Sequence, residues 1–192
     1  MCSVTTYQYV RILSQNDTKG APVDVHPSKI RSKNMSCIRR KGTQAELKCA
    51  ALFMKIGLSF QEQLSEMKGN PDFFLPAYKT VVFVHGCFWH GHSAGCFRWP
   101  SSRRDFWYGK ITNNQERDAQ IRSFYQNHAD WRMVVVWECS LRGKFSLDES
   151  YLTVVLWDWL RSSSDFLEIA PVSSFSWPET EGEQESYNGW LT

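Results

Sequence analysis

Apolar residues first recur at helical spacing at Leu47, Ala50, Ala51 and Met54. Thr43-Gln44-Ala45-Glu46 ahead of them has the form of a capping box, and Gly57 is placed to end the helix in the left-handed conformation. The period then shortens. Leu58 to Gln61 predicts a strand, and Asp72 to Leu75 a second one after a loop with Gly69, Asn70 and Pro71. Thr80 to His85 predicts a third, entered through the turn Pro76-Ala77-Tyr78-Lys79. Arg104 to Asn127 returns to helical spacing, with a break expected near Thr112-Asn113-Asn114. Trp131 to Glu138 is strongly apolar, as a strand covered on both faces reads. A last helix, Leu147 to Ser162, would turn Leu152, Leu156 and Leu160 inward. Helix, three strands, helix, strand, helix predicts one α/β domain with a mixed β-sheet flanked by helices.

The ends of the chain carry no such pattern. Residues 1–30 include Gly20, Pro22 and Pro27 and read as a flexible leader; Ser, Glu and Gly dominate from Pro171, so 166–192 reads as a disordered acidic tail. The domain is expected over 31–165, and 192 residues suffice for one filled core. No apolar run approaches the ~20 residues of a membrane span. Met1 to Val10 lacks the basic-then-apolar form of a secretory signal, so a cytoplasmic location is expected. The six cysteines then read as ligands or buried thiols rather than disulfides, with Cys49 in the core. The net charge of +2 is unevenly spread: Lys29 to Lys41 holds six basic residues and no acid, and Arg98, Arg103 and Arg104 form a second cluster. The segment 31–42 reads as a phosphate-contacting arm or as a solvated stretch.

The chemistry concentrates between Val81 and Cys96, where a β-branched run leads into three histidines, two cysteines and Phe88-Trp89. Cys87, His92, Cys96 and Cys139 supply the four N/S donors of a structural zinc site, and His90 is an alternative to His92. Asp72 opens a strand beside the one ending at Val84-His85, so its carboxylate and the Val84 carbonyl offer the hard oxygens that suit Mg²⁺. Asp118 shares a helical stripe with Ile111, Ile121 and Tyr125. A carboxylate there needs a partner: His90, or else Arg117 or Arg122. Glu46 is either the fourth residue of a cap or a side chain aimed at the metal. Phe88 and Trp89 are candidate wedges for unstacking base pairs; Trp107 is a third candidate or packs on the sheet.

Asn70-Pro71-Asp72-Phe73, His85-Gly86-Cys87-Phe88-Trp89-His90 and Trp137-Glu138-Cys139-Ser140-Leu141-Arg142-Gly143, preceded by Arg31-Ser32-Lys33-Asn34-Met35, resemble the bacterial very short patch repair (Vsr) mismatch endonucleases over residues 31–145. The resemblance implies a restriction-endonuclease-like fold with catalytic Mg²⁺ and structural Zn²⁺. It implies a nick 5′ to the thymine of a T·G mismatch left by 5-methylcytosine deamination. It implies a monomer acting on double-stranded DNA at the nucleoid, off the membrane, alongside a cytosine-5 DNA methyltransferase and mismatch-repair proteins. Asp72 and the Val84 carbonyl would hold Mg²⁺; His90, oriented by Asp118, would handle the attacking water; His85 would face the scissile phosphate and Glu46 lie close by. Cys87, His92, Cys96 and Cys139 would bind zinc. Phe88, Trp89 and Trp107 would enter DNA from the major groove and Met35 from the minor groove, with Arg31 and Lys33 on the backbone. Three residues between His92 and Cys96 make a longer gap than the family pattern, and Val84 replaces a familiar threonine. Two rival readings are a restriction-type nuclease for matched duplex and a non-catalytic zinc module that binds distorted DNA.

Overall fold

The computed structural model describes residues 42–171 except Gln63, Ala94 and Ala129. The leader, the arm with Arg31, Lys33 and Met35, and the chain from 172 onward lie outside the described residues. In chain order the elements are α1 (Gln44–Lys55), β1 (Gln61–Glu62), β2 (Phe73–Leu75), β3 (Thr80–His85), α2 (Arg104–Gln126), β4 (Arg132–Trp137), the single turn α3 (Glu138–Leu141), α4 (Glu149–Arg161) and β5 (Phe166–Ile169). The five strands form one mixed sheet in the order β1-β2-β3-β4-β5. The pairs β1/β2 and β2/β3 are antiparallel, while β3/β4 and β4/β5 are parallel.

Strand alternation sorts the side chains into two cores. Val82, Val134 and Val136 meet α1 and α4 on one face; Val81, Phe83, Met133, Val135 and Trp137 meet Ile121 and Tyr125 of α2 on the other. The result is a three-layer α/β/α sandwich, and each large side chain wholly removed from water contributes about 1.5–3 kcal/mol. Phe53, edge-on to Phe73 at 5.4 Å, anchors α1 in this way.

Local chemistry sets the ends of the elements. Thr43 Oγ1 accepts the Glu46 N–H, and the Glu46 carboxylate accepts both the Thr43 hydroxyl and the Gly42 N–H. At the other end of α1, Gly57 (φ +75°) lets its own N–H reach Met54 O and the Leu58 N–H reach Phe53 O. The Arg132 guanidinium closes α4 by donating to the carbonyls of Trp159, Leu160 and Ser162, and it lies 3.9 Å over the Trp159 ring.

Four expectations need correction. The buried face of α1 is Ala45, Cys49, Ala50, Leu52 and Phe53, while Leu47 and Met54 are exposed. Both stripes are apolar enough to serve; Phe53 decides between them because Phe60 and Phe73 offer it a socket. The first strand is only Gln61–Glu62, because Leu58 is spent on the helix cap and the core. No break occurs at Thr112-Asn113-Asn114; α2 is continuous. Phe166–Ile169, expected within the acidic tail, is strand β5, with Val136 opposite Ile169.

Candidate active site and metal centre

The parallel strands β3 and β4 end side by side, with His85 paired to Trp137. His85 continues the Val81, Phe83 alternation and so faces α2, where Asp118 lies between Ile111 and Ile121 on the inward stripe. Between these elements runs the loop from Gly86 to Arg103. Gly91 carries it at φ +61°, and a Cβ there would stand 2.6 Å from Gln115 Nε2 and 2.9 Å from Ile111 Cγ2. Only glycine admits both the backbone conformation and the approach. The loop is pinned there by Asn114, whose amide donates to the Trp89 carbonyl (2.8 Å), and by Gln115, which donates to the His90 carbonyl (3.2 Å).

One cluster of side chains forms on the α2 side of this loop. His90 Nδ1 bonds Asp118 Oδ2, and the donor atoms of His85, His90 and Asp118 lie within 4.8 Å of one another. The His85 and His90 rings stack at 3.9 Å with 9° between planes. Burial first, and His90 second, push the His85 pKa down to about 3, so that ring is a neutral imidazole at neutral pH. Of the three expected partners, His90 and Arg117 are near Asp118, Arg117 approaching its other oxygen at 4.0 Å, whereas Arg122 stacks on Phe166 instead. Asp118 binding Nδ1 leaves Nε2 of His90 as the nitrogen free for proton transfer.

Asp72 stands apart from that group of donor atoms. Its N–H donates to Val82 O, and its Oδ2 accepts the Val84 N–H at 2.7 Å. The N–H and C=O of one strand residue turn to the same edge, so the Val84 carbonyl faces the Asp72 side too. Asp72 and Glu46 line one cavity of about 140 Å³ with Glu62, Asn70 and Pro71. Glu46 thus shares a cavity with Asp72, although both of its oxygens are engaged at the α1 cap.

The second cluster is made of thiols. Sγ of Cys87, Cys96 and Cys139 lies 3.7, 3.0 and 3.2 Å from His92 Nδ1, and all four donors are within 4.8 Å of one another. Tetrahedral zinc with ~2.3 Å bonds to sulfur holds its donors about 3.7 Å apart. The set therefore fits zinc, with His92 rather than His90 as the nitrogen donor. Burial pushes the Cys87 thiol up to about 11 and raises Cys139 further, so a cation is what would make thiolates favourable here. His92 lies flat on Trp137 at 3.9 Å and 7°, and the Trp137 indole N–H donates to Glu168 at 2.6 Å.

Phe88, Trp89 and Trp107 come together half-buried, with ring centroids 5.1 to 5.9 Å apart. Residue patterns alone missed Asn114, Gln115, Trp137 and Tyr125, whose hydroxyl ties α2 to the Lys68 carbonyl just before Asp72. A polar Asn at mid-helix was a signal, but it is equally the signal of a helix break.

An α/β domain that gathers titratable and thiol side chains at the carboxyl ends of parallel strands belongs to the class of proteins that carry chemistry at that edge of the sheet. The family model described as DNA mismatch endonuclease Vsr matches residues 23–96. The chain is 42% identical over 137 residues to the DNA mismatch endonuclease Vsr of Escherichia coli, covering 71% of this chain and 87% of that protein. It is 38% identical over 121 residues to the type II nicking enzyme V.NmeAIP of Neisseria meningitidis, and 38% identical over 114 residues to the type II nicking enzyme V.XorIIP of Xanthomonas oryzae. These cover 63% and 59% of this chain and 86% and 83% of the two relatives. The chain belongs to the Vsr DNA mismatch endonuclease family.

Proposed function

We propose that the protein is a strand-specific DNA endonuclease that nicks 5′ to the thymine of T·G mismatches, on a restriction-endonuclease-like scaffold. The observation that carries the reading is His90, held by Asp118 and stacked on His85, beside the Phe88–Trp89–Trp107 cluster. In this reading the aromatic cluster wedges into the kinked mismatch and sets the strand across the mouth of the site. His90 takes a proton from the attacking water at Nε2, and Asp118 stabilises the imidazolium that results. His85, held neutral by burial, donates a hydrogen bond to the phosphate without adding a charge. Asp72 and the Val84 carbonyl would hold Mg²⁺, which when bound offsets the charge that builds on the phosphate. Zinc on Cys87, His92, Cys96 and Cys139 would fix the loop that presents these groups. The type II nicking enzymes among its relatives support single-strand cutting; work alongside a cytosine-5 DNA methyltransferase is part of the proposal.

The test is a Mg²⁺-dependent nicking assay on end-labelled duplexes, comparing a T·G mismatch with its matched C·G twin. The expected outcome is a nick confined to the thymine strand of the mismatch. Equal cutting of the twin would make this a restriction-type nuclease, and tight binding without cutting would make it a DNA-binding module.

A further inference from the structure

A second group of rings lies beyond Phe88, Trp89 and Trp107 and outside the wedge. Phe97 lies 6.0 Å from Phe88 and meets Trp99 edge-on at 4.9 Å. Trp99 lies near-parallel to Tyr108, with centroids 5.8 Å apart and 29° between planes. This last pair is at the surface: Trp99 is 45% exposed and Tyr108 63%. Neither ring is needed by the two cores, which are made of other residues. Two large aromatics left in water invite the question of what covers them.

The charge around them answers it. Between Phe97 and Lys110 the chain carries Arg98, Arg103, Arg104 and Lys110 against the single acid Asp105. Arg103 already lies 4.4 Å over the exposed ring of Phe106. Aromatic rings set among cations are how single-stranded nucleic acid is held. A paired duplex presents phosphates and groove edges, not the faces of its bases. An exposed ring face therefore suits an unpaired base, and the patch is continuous with the side chains assigned above to unstacking DNA.

We propose that Trp99 and Tyr108 form a stacking platform for unpaired nucleobases of the strand flanking the mismatch, with Arg98 and Arg103 supplying charge for its phosphates. The proposal rests on the DNA-nicking reading of the adjacent site. Nicking beside a mismatch frees a strand end that frays readily, and the platform gives that end a place to stack. The enzyme would therefore hold its nicked product by the loosened strand.

The test is equilibrium binding of the full-length protein to four probes: an intact T·G duplex, the same duplex carrying a nick and a single-stranded thymine flap, an oligothymidine alone, and anionic vesicles. The wild type should bind the flapped duplex roughly tenfold more tightly than the intact one, the scale of one stacked base. The double variant Trp99→Ala/Tyr108→Ala should lose that preference while still nicking the intact T·G duplex at the wild-type rate. Binding of the intact duplex with no preference for the flap, or a preference that survives in the double variant, overturns the platform alone. Failure to bind any probe overturns it together with the nuclease reading. Retention on anionic vesicles that the double variant loses, without a flap preference, would make the patch a membrane surface and also overturn it.

Discussion

The thiol corner and the histidine corner grow from one loop, yet they stand in opposite relations to water. Cys87, His92 and Cys139 are each less than a tenth exposed, and their donors face one another in a closed set. The His90 and Asp118 side chains keep 15% and 19% of their surface open, at an edge that a substrate can approach. Residues 87, 92 and 96 belong to one cluster and residue 90 to the other, with Phe88 and Trp89 between them in the chain. The closed corner suits holding shape, and the open one suits moving a proton. Loop residues are poor at holding geometry unless something cross-links them, and the thiol corner is positioned to do that for its neighbour.

The closed corner should give the largest effect. Cys139→Ala should abolish stoichiometric zinc and lower stability by a sizeable part of the roughly 10 kcal/mol that structural zinc contributes to small folds. Metal analysis and chemical denaturation read the two effects together. A variant that keeps its zinc and its midpoint would end the division of labour. At the open corner the effects should invert. Asp118→Asn should lower kcat for nicking by about 10²–10⁴-fold, with a melting temperature within a few degrees of wild type. A collapse in stability of the same size as that of Cys139→Ala would show that the two corners are one structural unit.

The smallest effect sharpens how the open corner is held. Burial raises the Tyr125 pKa to about 12, and its hydroxyl donates to the Lys68 carbonyl at 2.8 Å. The folded state favours the neutral phenol. The stability it contributes is present below the unfolded value near 10 and is lost as pH rises from about 10 to about 12. Tyr125→Phe should remove that alkaline component and cost about 1 kcal/mol at neutral pH, through the lost hydrogen bond. Denaturation midpoints from pH 8 to 12 check both; an unchanged alkaline slope would place the ionisation elsewhere.

The parts legible in the sequence were those fixed by local chemistry. The capping box at Thr43 and the Gly57 stop bound α1, and the β-branched run from Thr80 is β3 to the residue. The thiol set was legible because its donor types are rare in combination, and the His90–Asp118 contact because a carboxylate on an apolar stripe demands a partner. What was not legible depends on distant surfaces. Nothing in α1 says that Phe53 rather than Leu47 faces inward, since that preference is created by Phe73 across the core. β5 has four residues and no alternation, and it becomes a strand only because β4 offers it an edge. His92 and His90 both had suitable nitrogens; the turn at Gly91 separates them onto different clusters.

The parallel pairing of β3 with β4 also has a consequence for the time at which the protein becomes competent. Val84 lies opposite Val136, with all of α2 between them in the chain. Contacts of such long sequence separation form late, because the intervening chain must be ordered before they repay its entropy. Cys139 reaches Cys87 and His92 only when that pairing is made, and Asp118 reaches His90 only when α2 has docked. A chain still emerging from the ribosome therefore carries every motif up to His90 while holding neither cluster, and both are completed only when the sheet is closed.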